Sequence, residues 1–159
     1  MHLSIIAIGR VREPYLVAGM REYEKRLRAY GRISIREIKE EPYRDPVGDH
    51  QAWEIKEKEG ARILAAVAPT DYLIALDPQG RSFTSEGFAQ HIQQRLVEGR
   101  SSISFAIGGS LGLGNNVRQR ADLILSFSQF TFPHQLFRLI LLEQLYRMAT
   151  ILRGEPYHR

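Results

Sequence analysis

The feature that most constrains this chain is an alternation. Short apolar runs at 2–9 (HLSIIAIG), 71–80 (DYLIALDPQG), 102–109 (SISFAIGG) and 122–128 (DLILSFS) alternate with longer segments whose apolar residues recur at helical spacing. A short apolar run closed by Gly or Pro reads as a buried strand. RISIREIKE (32–40) sets Ile33, Ile35 and Glu37 on one face and reads as a further strand. In 13–30, Leu16, Met20, Tyr23, Leu27 and Tyr30 recur at helical spacing behind Pro14, a residue suited to a first turn. Segment 50–67 reads as a helix with a polar face, and 85–99 as a helix capped by Thr84 or Ser85. NNVRQRA (115–121) suits one helical turn. A long helix starts at Pro133 and stops at Gly154, while EPYRDPVGD (41–49) is a loop. Strands alternating with helices predict an α/β fold with a mostly parallel sheet flanked by helices, in one domain over 1–159.

Composition narrows the function classes. The chain has no Cys, which excludes a disulfide framework or a Cys-type metal site, and no His/Glu spacing resembles a zinc site. No metal is expected. MHLSIIAIGR lacks the basic start of a signal peptide, and the apolar stretch 136–152 contains Arg138, Glu143, Gln144 and Arg147, too many polar groups for a membrane span. The expectation is a cytoplasmic protein with no membrane partner. A net charge of +4 favours a polyanionic partner. Residues 61–159 carry 10 Arg and no Lys against 7 acidic residues, and Arg's fork matches phosphate; an Arg-rich genome is the plain alternative. The last helix is apolar on nearly every side, which predicts packing on a second copy, a homodimer; complete burial within one chain is the alternative.

The glycines of SISFAIGGSLGLGN (102–115) fit no phosphate motif. Gly112 and Gly114 have the first spacing of the dinucleotide fingerprint, but Val117 stands where its third Gly belongs; Asn115 follows Gly114 where a P-loop needs Lys. IGGSLG is not a nucleophile elbow. What remains is a strand end at Gly108-Gly109 where backbone bends sharply or approaches a ligand. ALDPQG (75–80) and SFSQFTFP (126–133) end strands in the same way. Taken singly each is an ordinary turn. Together, at the carboxyl edge of a parallel sheet, they predict one pocket of backbone amides and apolar side chains. His134 opens the last helix, where the dipole favours its neutral form. His91 is expected in solvent, and Asp77 before Pro78 is a turn device. In the tail EPYHR, Tyr157 and His158 suit stacking on bases and Arg159 suits phosphate; a frayed end is the alternative. Arg138, Arg147 and Arg153 add cations along or after the last helix.

LDPQG, IGGSLGLG and SFSQFTFPHQLFRLILLEQLYRMATILRGEPYHR, with the opening IAIGRVREPYLVAGMREYEKRL, closely resemble the ribosomal RNA large subunit methyltransferase H family over essentially the whole chain. That family belongs to the SPOUT methyltransferases. The resemblance implies methyl transfer from S-adenosylmethionine to N3 of a pseudouridine in 23S rRNA within the assembled ribosome, by a homodimer with a deep C-terminal trefoil knot. By motif it implies cofactor contacts at Leu76, Gly108, Phe127, Ser128, Gln129, Phe130, Thr131 and Phe132, and gives the glycines a use in admitting adenosine and methionine to the backbone. His158, Arg159 and His134 become candidates for base or charge stabiliser, and Tyr157, His158, Arg159 and Arg138 for RNA contact. The tail 154–159 would face substrate, completing a partner's pocket. A non-catalytic ribosome-binding or assembly protein on the same fold is the rival reading, and a small-molecule enzyme the next.

Overall fold

The structure is a computed structural model that describes residues 1–158; Arg159 lies outside the described residues. The strands are β1 (His2–Ile8), β2 (Arg32–Ile38), β3 (Tyr72–Ser82), β4 (Ser102–Ile107) and β5 (Leu123–Ser126). The helices are α1 (Pro14–Leu27), α2 (Asp49–Ala66), α3 (Ser85–Val97), α4 (Asn115–Arg120) and α5 (His134–Leu152). The strands form one sheet in the order β2-β1-β4-β3-β5, and every neighbouring pair is parallel. Ile5 lies opposite Ile35 on one side and Phe105 on the other, and Phe105 opposite Ile74.

Both faces of the sheet are covered, and this is why the central strands are mostly apolar rather than alternating. Leu3, Ile5, Ala7, Ile74, Ile103 and Phe105 pack with Met20 and Leu27 of α1, Ile92 of α3 and Leu141, Leu142, Leu145 and Met148 of α5. Ile6, Ile8, Leu73, Ala75 and Ala106 face the other way, onto Ile63 of α2 and Val117 of α4. The edge strand β2 alternates instead, with Ile33 and Ile35 half-buried and Arg32, Ser34 and Arg36 exposed. The Thr84 hydroxyl accepts the Gly87 amide at 3.0 Å, so Thr84 is the α3 cap.

Three details depart from expectation. β3 does not stop at the Asp77-Pro78 turn but continues to Ser82, pairing with β5 on both sides of a register shift between Leu76 and Arg81. The backbones pass so closely that a Cβ on Gly80 would lie 2.6 Å from the Ile124 carbonyl oxygen. His91 is not solvated: its Nε2 lies 3.0 Å from the Tyr72 hydroxyl, its ring packs on Phe83, and burial lowers its pKa. Arg138 is interior, as set out below. Among the described residues no helix is long and apolar enough to cross a membrane.

Candidate functional site

The carboxyl ends of β3, β4 and β5 enclose a cavity of about 670 Å³. Its walls come from Leu76 to Pro78, Ile107 to Leu113, Leu125, and the loop from Phe127 into the first turn of α5. The chain folds this way locally because each strand meets a residue that turns it. Asp77 is buried; one carboxylate oxygen accepts the Gln79 amide at 2.8 Å, and the other pairs with Arg118 of α4. Beyond β4, the Gly112 amide donates to the Gly109 carbonyl at 3.0 Å, with Gly112 at φ +92°. A Cβ on Gly108 would sit 2.6 Å from the Gly112 carbonyl carbon, against backbone that cannot swing aside. The glycines therefore serve first to close the turn on itself, and the wall it presents to the cavity follows from that. Behind it, Glu59 of α2 is buried, accepts the Glu41 amide at 2.9 Å, and reaches to 3.0 Å from where a Gly109 Cβ would be. Burial pushes its carboxyl above the ordinary range.

The third wall is aromatic. Phe127 meets Phe137 edge-on at 5.2 Å, and Phe132 stacks on Phe137 at 5.9 Å. The loop between is shaped by Ser128, whose hydroxyl accepts the Phe130 amide at 3.0 Å and whose carbonyl accepts from Ser126 Oγ at 3.3 Å. Phe130 stands at the rim, 81% exposed.

The structure brings Leu76, Gly108, Phe127, Ser128, Phe130, Thr131, Phe132 and His134 into this one cavity, and leaves Gln129 out of its walls. Ile107, Leu111, Leu113, Leu125 and Phe137 also line it; the signal for them was the apolar strand and helix ends beside the motifs.

Arg138, expected at the RNA surface, is buried instead. Its side chain is 1% exposed, with Nη2 donating to the Ile8 and Gly9 carbonyls at 2.6 and 3.0 Å and Nη1 to Glu37 at 3.2 Å. A guanidinium enclosed in this way does not meet RNA phosphate. An apolar helix carries it because the carbonyls ending β1 need a buried donor.

The tail is ordered against the chain's own helices. Tyr157 packs edge-on against Tyr146 at 4.7 Å, donates to Glu143 Oε1 at 3.1 Å, and lies under the Arg147 guanidinium. Its hydroxyl pKa is raised by the bond with Tyr23, by burial and by Glu143. His158 Nδ1 is 3.2 Å from Arg147 Nη1, and its Nε2 is 2.8 Å from Glu86 Oε1. Arginine only donates, so Nδ1 accepts and Nε2 carries the proton given to Glu86. The tail thus meets α5 at Glu143 and Arg147. At 1.5 Å per residue that is roughly 13–20 Å along the helix from His134. One chain does not bring its own tail and cavity together. Arg159, the other tail candidate, falls outside the described residues.

Among the described residues no cluster of three His, Asp or Glu could hold a metal. Residues 1–158 match the family described as "Predicted SPOUT methyltransferase". A protein of Carboxydothermus hydrogenoformans named ribosomal RNA large subunit methyltransferase H is 46% identical over 159 residues, the full length of both chains. Its namesake in Pelotomaculum thermopropionicum is 49% identical over 157 residues, 99% of this chain and 98% of the relative. The solved tRNA (m1G37) methyltransferase of Aquifex aeolicus shares the fold, with a TM-score of 0.54 at 12% identity, over 99% of this chain and 74% of the other.

Proposed function

This chain belongs to the SPOUT methyltransferase family, in its ribosomal RNA large subunit methyltransferase H branch, and on that premise we propose that it methylates N3 of a pseudouridine in 23S rRNA on the assembled ribosome. The methyl donor is S-adenosylmethionine. The observation that carries the reading is the cavity at the ends of β3, β4 and β5, about 670 Å³, with aliphatic and aromatic walls interrupted by the glycine turn and the Ser128 loop. Its size suits a cofactor with one apolar and one polar end. Leu76, Ile107, Leu125, Phe127 and Phe132 offer an apolar bed for adenine, and the segment 108–112 with Ser128, Phe130 and Thr131 faces the polar groups. The turn is held by the chain's own contacts, so it is set before anything binds.

S-adenosylmethionine supplies an activated methyl group, so the protein's part is alignment, exclusion of water and proton handling. The apolar walls exclude water. N3 of the uracil-type ring must lose a proton as the methyl arrives. His134 in the cavity wall and His158 in the tail are the groups offered for it, with Tyr157 and Arg159 contacting RNA. Because a chain's tail lies far from its own cavity, the tail serves the cavity of a second copy, and the active species is a homodimer working in the cytoplasm.

Purified protein incubated with methyl-labelled S-adenosylmethionine and ribosomes lacking the modification should place label in N3-methylpseudouridine of 23S rRNA, with free rRNA labelled far less. Binding to ribosomes without transfer, in preparations that contain the unmethylated pseudouridine, would favour the non-catalytic assembly protein.

A further inference from the structure

We infer that a second, polar cleft beside the first cavity holds the RNA strand flanking the methylated nucleotide, with Arg10 and Arg12 on its phosphates; this rests on the function proposed above. The cleft, about 970 Å³, is built from the segment following β1, the end of β2 with its loop to Asp45, and Ser110. It lies on the same carboxyl edge of the sheet as the first cavity. Ser110 belongs to the walls of both, and its hydroxyl is 2.5 Å from that of Tyr43. A strand leaving one therefore enters the other across a single pair of hydroxyls.

The charges are arranged for a phosphodiester chain. Of the carboxylates in the cleft, Glu37 is occupied by Arg138 and the Val11 amide, and Glu41 by Arg62 and Lys58. Arg10, Arg12 and Lys39 are exposed and enter no ion pair among the described residues. The backbone bearing the two arginines is held on both sides of Arg10 and at Arg12. The Gly9 amide donates to Ile38 at 2.8 Å, Val11 to Glu37 at 2.9 Å and Arg12 to Gln135 at 2.9 Å, while buried Arg138 grips the Ile8 and Gly9 carbonyls. Burying a guanidinium is costly; the two Nη groups of Arg138 are spent on Glu37 and on the Ile8 and Gly9 carbonyls, while its Nε is left without a partner among the described residues, and the bonds made fix the residues just before Arg10 and Arg12. Glu40 and Asp45 remain as acceptors, and these suit the ribose hydroxyls and base amino groups that RNA presents and a bare polyanion lacks.

The test compares Arg10→Ala/Arg12→Ala with Arg21→Ala/Arg28→Ala, which removes the same charge from exposed positions of α1 and its end. Three quantities are read: S-adenosylmethionine affinity by calorimetry, binding to immobilised large ribosomal subunits and to a labelled single-stranded 20-mer RNA, and methyl transfer. The expectation for the first variant is unchanged cofactor affinity, at least tenfold weaker binding to subunits, and a KM raised by the same factor. Its salt dependence should flatten by about 1.4 in log–log slope, for two phosphates at about 0.7 each on single strands. Arg10→Lys/Arg12→Lys should recover most of the binding. If both double-alanine variants lose binding equally, or neither does, or wild-type protein binds neither RNA probe, the cleft assignment is overturned. Weakened RNA binding in a protein that transfers no methyl would keep the cleft and reject the proposed activity. Full transfer by the variant would do the reverse.

Discussion

Gly108 is where one hydrogen atom decides the site. A methyl group there would sit 2.6 Å from the carbonyl carbon of Gly112 and 2.9 Å from the amide of Leu113, so the turn must open to admit it. Gly108→Ala should weaken S-adenosylmethionine binding at least tenfold in calorimetry and destabilise the fold by roughly 2 kcal/mol, the usual penalty of overpacking. Gly48→Ala, where nothing lies within 4 Å, should leave both nearly unchanged. Glu59, behind the same turn, makes a pH-dependent case. Burial raises its folded pKa above that of the unfolded chain; neighbouring Glu40 and Glu41 raise it further, while the Glu41 amide and Arg62 oppose. Between the two pKa values the folded state holds more protons, so this group's effect on stability becomes less favourable as pH rises through that window. Glu59→Gln, which keeps an acceptor for the Glu41 amide, should raise the melting temperature at pH 7. The gain should shrink as pH falls through the folded pKa of Glu59 toward 4, as followed by thermal unfolding across that range.

Among elements, α5 with its tail carries most of the site's logic. Removing residues 155–159 takes away the Tyr157 contacts with Tyr146 and Glu143 and the Glu155 carboxylate that pushes the Tyr30 hydroxyl up to about 12. A stability loss of about 1–2 kcal/mol follows from lost hydrogen bonds of this kind. The cavity, formed at the other end of α5, should still bind S-adenosylmethionine by calorimetry while methyl transfer disappears. The elements themselves were readable because burial imposes periodicity. β1 and β4 are covered on both faces and so read as mostly apolar runs, broken only by a serine in each, and α1 buries Leu16, Met20 and Leu27 at helical spacing. The cavity was readable where motif and strand end coincide, at Leu76 and Gly108. Tertiary partners were not. Nothing in local spacing says that Arg138 turns inward to the Ile8 carbonyl, that β3 resumes beyond Pro78 against β5, or that the loop after β2 leans on Ser110. Each depends on a residue many positions away, which short-range periodicity does not encode.

For the whole molecule, the distance between tail and cavity is the decisive quantity. α5 buries Leu141, Leu142, Leu145 and Met148 in its own chain and leaves Phe137, Leu139, Tyr146 and Leu152 half-covered. If two copies met about a two-fold axis with their α5 helices antiparallel, the tail of each copy would lie beside the His134 end of the other, closing the gap that one chain leaves open. This arrangement predicts complementation. A copy lacking 155–159 keeps its cavity and has no tail; a Gly108→Ala copy keeps its tail and has no working cavity. Neither should transfer methyl groups alone. Co-expressed with different tags, the two should form mixed dimers in which the intact cavity receives the intact tail. Random pairing makes half the dimers mixed, each with one working site of two, so activity should return to about a quarter of wild type. Mixed dimers isolated by both tags and still inactive would assign the tail to its own chain's cavity, and would require it to leave Glu143 and Arg147 and travel along α5 to the His134 end.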